Sequence, residues 1–312
     1  MNICKKILEN DGVVAIPTET VYGLAGNALC LKAIDTIFEV KNRPKINPLI
    51  IHISNISELE KYARDIPVVA QKLINTFWPG PLTFLLRKND IIPNAATANS
   101  QYGAFRVPNH PLTLELLQSI DFPLVAPSAN PFGYISPTTT THVFEQLGGK
   151  IPYILDGGNC DKGIESTIIG FDNEDVIIYR SGSIDAESIS FVIEKPVKYY
   201  NIKEAKPIAS GMMAYHYAPL TPMVLVDNLD EFVLQDVVNI GVIRFRNKLE
   251  SIPTDYQYIL SETGNLAEAA KNLYSALHFM DKKNVELIIA EKVPHIGIGV
   301  AINDRLIKAS NR

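Results

Sequence analysis

The sequence predicts an α/β (α+β) protein of two units. Three observations carry the prediction. Short apolar runs bounded by turn residues recur through residues 13–179, amphipathic periodicities separate several of them, and a breaker-rich stretch precedes a second, shorter set of runs.

In chain order, Ile3, Ile7 and Leu8 give a helix over 2–10, and Asp11-Gly12 turns it into the strand Val13–Ile16, which Pro17 ends. Leu31, Ile34, Ile37 and Phe38 give the next helix, and residues 49–53 a buried strand after a basic loop. Strands follow at 82–86, 104–107, 124–126, 167–170 and 176–179, with helices near 68–77, 111–119 and 138–147. Lys195-Pro196, Lys206-Pro207, Ser210-Gly211, Ala218-Pro219 and Thr221-Pro222 break regular structure five times. The expected organisation is a first domain over 1–200, a linker over 201–222 and a smaller α/β domain over 223–312, with strands at 223–226, 240–245, 258–260 and 287–290 and a long helix at 265–280.

Of the 312 residues, 46% are hydrophobic and 20% charged, the balance of a globular chain with an ordinary core. The net charge of −5 disfavours charge-driven adhesion to nucleic acid or membrane, yet allows a local basic pocket for a small anion. Three cysteines without a CxxC or Cys/His cluster point to neither disulfide framework nor zinc, and the expected compartment is the cytoplasm.

The chemistry-bearing segments follow apolar runs, where loops of an α/β sheet gather ligand contacts. Lys41, Arg43 and Lys45 sit within five residues beside Asn47, a combination of point charge and planar fork suited to phosphates; the same segment also fits a solvated turn. Ser128-Ala129-Asn130 and Ser136 place hydroxyls and an amide at a strand end, able to hold a nucleotide or simply to close a turn. Arg106 interrupts an apolar strand and needs an anionic partner, either a substrate carboxylate or an internal acid. His52 interrupts another. Thr18, Glu19, Thr20 and Tyr22 read either as a helix start or as a polar pocket floor, and Ser166 and Arg180 flank further strands.

Together, Pro17–Leu24, Lys41-x-Arg43 with Asn47-Pro48-Leu49, Trp78–Thr83, Phe105–Pro108, Ala126–Asn130, Glu165–Thr167 and Arg180–Gly182 resemble the YrdC-like family, and His216–Pro219 resembles its two-domain threonylcarbamoyl-adenylate synthase form. The resemblance implies a YrdC-like twisted mixed sheet with helices, followed by a smaller Rossmann-like unit. It implies condensation of L-threonine, bicarbonate or CO2, and ATP into threonylcarbamoyl-AMP and pyrophosphate, with downstream proteins passing the group to a tRNA adenosine.

Carried over by motif, Thr20, His52, Arg106, Ala126 and Ser166 would contact threonine. Arg43, Asn47, Tyr102, Ser128, Asn130, Ser136, Arg180 and Tyr217 would bind ATP. Lys41 and Arg43 would stabilise developing phosphate charge as the catalytic pair. Magnesium is expected with ATP, with no protein ligands named, and neither a membrane nor extensive nucleic-acid contact is expected. Two rivals stand beside this reading: a non-catalytic RNA-binding module, against which the net charge weighs, and a carbamoyl-transfer enzyme of hydrogenase maturation, whose zinc-binding cysteines are missing here.

Overall fold

The computed structural model describes residues 1–200, 211, 216–230 and 239–311. The first unit runs α1 (Asn2–Glu9), β1 (Val14–Ile16), β2 (Gly23–Asn27), α2 (Leu31–Lys41), β3 (Ile50–His52), α3 (Leu59–Tyr62), β4 (Ala63–Arg64), α4 (Val68–Phe77), β5 (Leu82–Lys88), β6 (Tyr102–Arg106), α5 (Pro111–Ser119), β7 (Leu124–Val125), α6 (Thr140–Leu147), β8 (Thr167–Asp172), β9 (Asp175–Arg180), α7 (Ala186–Ile193) and β10 (Lys198–Tyr199). The second contains β11 (Met223–Val226), β12 (Ile240–Arg244), β13 (Gln257–Ile259), α8 (Leu266–Asp281), β14 (Leu287–Glu291) and α9 (Gly299–Ser310).

The first sheet is mixed, in the order β1-β2-β7-β3-β6-β5-β8-β9-β10, with β4 against β5. Its middle is buried on both faces, which is why 82–86 and 167–170 read as continuous apolar runs and not as alternations. Ala33, Ile34, Ile37 and Phe38 of α2 and Val69, Ala70, Leu73 and Ile74 of α4 supply apolar stripes to the core. The second sheet, β11-β14-β12-β13, is parallel throughout. The apolar cluster around α8 and α9 also takes in Val21, Ile135, Ile164 and Tyr217, so the two sheets share a packed seam along loops of the first unit.

Two expectations change. Residues 18–22 start no helix: Thr18 Oγ1 donates to Val21 O at 2.7 Å and accepts from Val21 N at 3.2 Å, closing a turn. The chain then enters β2, antiparallel to β1, a strand hidden in the sequence because Gly23 and Gly26 dilute its apolar pattern. The basic loop also diverges, since Lys45 is mostly exposed and pairs with Asp35 at 2.5 Å. Of the expected linker, 201–210 and 212–215 lie outside the described residues. Among the described residues no helix is long and apolar enough to cross a membrane.

Candidate active site

Parallel strands β3 and β6 pair in a register that sets His52 beside Arg106. Because side chains of register partners share a face, both point into one cavity, whose wall also includes Thr20, Gly23, Ala126, Ser128, Glu165, Ser166, Arg180, His216 and Tyr217. Its volume is about 40 Å3, room for a few waters.

At the strand end, Arg106 donates through Nη1 to Thr20 Oγ1 at 3.1 Å and through Nε to Gly80 O at 3.2 Å. Its Nη2 lies 2.7 Å from Glu19 Oε2, with both side chains almost wholly buried. The contact is ionic without an aligned N–H, and neither Glu19 oxygen accepts a hydrogen bond among the described residues. The acid that Arg106 requires is therefore Glu19. His52 keeps Nδ1 without a partner among the described residues, and burial followed by the Arg106 charge holds its pKa down at about 3, so it faces the cavity as neutral imidazole.

Beyond β5 in the same sheet, β8 and β9 bring Ser166 and Arg180 to the same cavity. Thr83 and Ser166 hydroxyls meet at 2.7 Å, and Arg180 Nη2 donates to Ser166 O at 2.7 Å and to Ser166 Oγ at 3.0 Å. A Cβ on Gly182 would lie 2.5 Å from Glu165 O and from the backbone of Ser166 and Thr167, so this residue must be glycine for Arg180 and Ser166 to approach.

Helix α2 ends on Asn42 in the left-handed region (φ 51°), which separates the two cations of the Lys-Asn-Arg segment. Lys41, the last helical residue, is buried and donates to Ser128 O at 2.6 Å and to Asn130 O. Arg43, beyond the cap, donates to Asn47 O at 3.2 Å and to Pro48 O at 3.0 Å. Burial, together with the Arg180 charge, brings Arg43 down to about 9. Thus Lys41, Arg43, Asn47 and Asn130 underpin the loops of the site from outside the cavity lining. Asn130 Nδ2 donates to Pro131 O and Tyr134 O, both at 2.8 Å, which fixes that loop. Tyr102, at the start of β6, is about half exposed and outside the lining.

Ser136 is also outside it, donating to Glu165 Oε1 at 2.7 Å. Glu165 further accepts from Tyr274 Oη at 2.9 and 2.8 Å and from Arg305 Nε at 2.9 Å. Burial alone would raise this carboxyl, but Arg305 and then Arg180 hold it at about 2. Tyr217 lies under the Arg305 guanidinium, 5.0 Å from ring centroid to carbon, and stacks on Tyr274 at 5.7 Å. Tyr274 and Arg305 were not singled out in the sequence, and Glu19 was named only within a segment open to two readings, a helix start or a polar pocket floor. Tyr274 and Arg305 lie on amphipathic helices more than 100 residues from the acid they serve.

A strand arginine paired with a carboxylate and a second guanidinium, both lining one hydroxyl-rich cavity, suit an amino acid beside a nucleotide phosphate. Comparison with known proteins agrees. Residues 6–182 match the Sua5/YciO/YrdC model described as "Telomere recombination", and residues 184–311 match "Threonylcarbamoyl-AMP synthase, C-terminal domain". The chain belongs to the threonylcarbamoyl-AMP synthase family. Among curated members of this synthase family, the Bacillus subtilis protein is 39% identical, over 97% of this chain and 91% of its own length. The Pyrococcus abyssi protein is 38% identical, over 99% and 94%. A crystal structure of P. abyssi Sua5 complexed with L-threonine superposes with a TM-score of 0.90 at 37% identity, covering 99% of this chain and 93% of that one.

Proposed function

We propose that the chain condenses L-threonine, bicarbonate or CO2, and ATP into threonylcarbamoyl-AMP with release of pyrophosphate. The carrying observation is the cavity itself, lined together by Arg106, His52, Ser166 and Arg180. Similarity over nearly the full length of relatives bearing that name, one solved with L-threonine, supports the same reading.

In the proposed reaction the threonine amine adds to CO2, forming an N–C bond and losing a proton, and a carbamate oxygen attacks the α-phosphorus of ATP. The P–O bond to pyrophosphate breaks. The threonine carboxylate pairs with Arg106, neutral His52 and Ser166 line the amino-acid end, and Arg43, Asn47, Ser128, Asn130, Ser136, Arg180 and Tyr217 form or support the ATP end, with Tyr102 at its margin. Positioning and charge neutralisation supply most of the rate, because attack at phosphorus needs no covalent intermediate on the protein.

Magnesium enters with ATP, and phosphate oxygens and water would hold it. Glu165, in the lining, already pairs with Arg305, and Glu19, outside it, with Arg106. His216 and Tyr217 complete the lining, and on this reading they lift to admit ATP. Downstream proteins would carry the activated group to tRNA.

The test is incubation with ATP, magnesium and labelled bicarbonate, with and without L-threonine. Threonine-dependent pyrophosphate and a product with the mass of threonylcarbamoyl-AMP are expected; ATP binding without turnover under all conditions would refute the assignment.

A further inference from the structure

We propose that Arg305 on α9 and Tyr274 on α8 are positioning residues for the nucleotide half of the site, holding the Glu165 carboxylate so that Ser136 and Arg180 keep their orientation. The inference rests on the synthase reading and adds a role for the C-terminal unit within it.

Arg305 is fully buried, and it binds two segments at once. Nε donates to Glu165 Oε2 at 2.9 Å, and Nη2 donates to Ser181 O, the carbonyl next to Arg180, also at 2.9 Å. Tyr274 Oη donates to the same carboxylate, and Ser136 Oγ reaches its other side. Glu165 is thereby occupied on every side by donors from the second unit and from Ser136, while Arg180 donates instead to Ser166.

Removing Arg305 leaves a buried carboxylate without its main counter-charge, and Arg180 is the other guanidinium that acts on it. A buried ion so stranded seeks the remaining cation. Glu165 would then compete with an incoming phosphate for Arg180, and the Ser136 hydroxyl would lose its fixed acceptor. The threonine half is tied mainly through Arg106 to Thr20, Gly80 and Glu19, and Ser166, which Arg180 also contacts, keeps its Thr83 hydroxyl partner.

The experiment measures equilibrium binding of a non-hydrolysable ATP analogue and, separately, of L-threonine to the full-length chain. Wild type, Arg305→Met, Tyr274→Phe and the double variant Arg305→Met/Glu165→Gln are compared. Arg305→Met should weaken analogue binding on the order of tenfold and threonine binding by less than about threefold, and the double variant should recover most of the loss because Glu165 no longer carries a stranded charge and Asp304, the other acid paired with Arg305, keeps Lys308. Tyr274→Phe should weaken the analogue in the same direction by about threefold, the low end of the net scale for one hydrogen bond, because the carboxylate keeps its other partners.

Unchanged analogue affinity in both single variants overturns the proposal. So do equal losses for the two ligands without recovery in the double variant, which is what general destabilisation would give. If Arg305→Met does not fold, Tyr274→Phe and the double variant decide. A wild type that binds the analogue yet makes no threonylcarbamoyl-AMP refutes the synthase reading and leaves the positioning comparison intact; a wild type that does not bind the analogue overturns both.

Discussion

Arg106 Nη2 and Glu19 Oε2 lie 2.7 Å apart in an almost fully buried pair in which the acid receives no hydrogen bond among the described residues. The pair neutralises a charge that strand β6 would otherwise bury alone, and it leaves the guanidinium at the cavity wall, where a substrate carboxylate can share it.

Glu19→Gln should therefore destabilise the ligand-free protein by about 3 kcal/mol, the scale for breaking a buried pair. L-Threonine should raise the melting temperature of the variant by more than it raises that of wild type, because its carboxylate replaces the missing charge. Thermal unfolding with and without threonine checks this, and an equal shift in the two proteins would separate Arg106 from the amino acid.

Lys41→Met should act mainly on stability. Its ammonium satisfies the carbonyls of Ser128 and Asn130, and leaving buried acceptors unpaired costs about 1–3 kcal/mol each. Urea unfolding should show a lowered midpoint. An unchanged midpoint with lost turnover would mean that the ammonium leaves those carbonyls to act on the phosphates.

ATP binding should take up protons at alkaline pH. Burial lowers the pKa of Arg180, and burial with Arg180 lowers that of Arg43 to about 9; phosphate oxygens bound beside them would raise both again. Titration calorimetry of the ATP analogue at about pH 9 in buffers of different ionisation enthalpy should report net uptake, diminished in Arg43→Ala, which should also lose ATP turnover.

Gly163→Ala should pry the second unit from the site. Gly163 has φ +72°, and an added Cβ would lie 2.4 Å from Lys271 Cα on α8, two residues along the chain from Glu165. Where the native φ is positive, alanine costs more than about 1 kcal/mol even without the clash. A lowered melting temperature and weakened nucleotide binding are expected together; a fall in stability alone would uncouple the seam from the site.

Stability should fall with acidification in two steps. Burial holds His52 and His278 at about 3 when folded, against 6.5 ordinarily, so the unfolded chain binds more protons and stability is lost as pH falls from 6.5 towards 3. Glu165, held at about 2 against 4.5, adds a loss as pH falls from 4.5 towards 2. Melting temperatures across this range should decline steadily below pH 6.5, and a plateau down to 4.5 would mean that the imidazoles reach water.

The sequence by itself determined the local elements and the two cavity-wall arginines. Helices at 68–77 and 111–119 and the strand at 223–226 were legible to the residue, because amphipathic spacing and breaker residues are properties of neighbours along the chain. Arg106 inside an apolar run announced a buried anionic partner for the same local reason. Tertiary structure alone decided which anion that is, since Glu19 reaches Arg106 only through the turn closed by Thr18. It also decided that Lys41 and Arg43, two residues apart, diverge at a left-handed Asn42, one to the carbonyls of Ser128 and Asn130 and the other to those of Asn47 and Pro48. Most of all, it decided that Tyr274 and Arg305 meet Glu165. Charge partners are chosen by distance through the fold, and no periodicity in a chain encodes a contact 109 or 140 residues away.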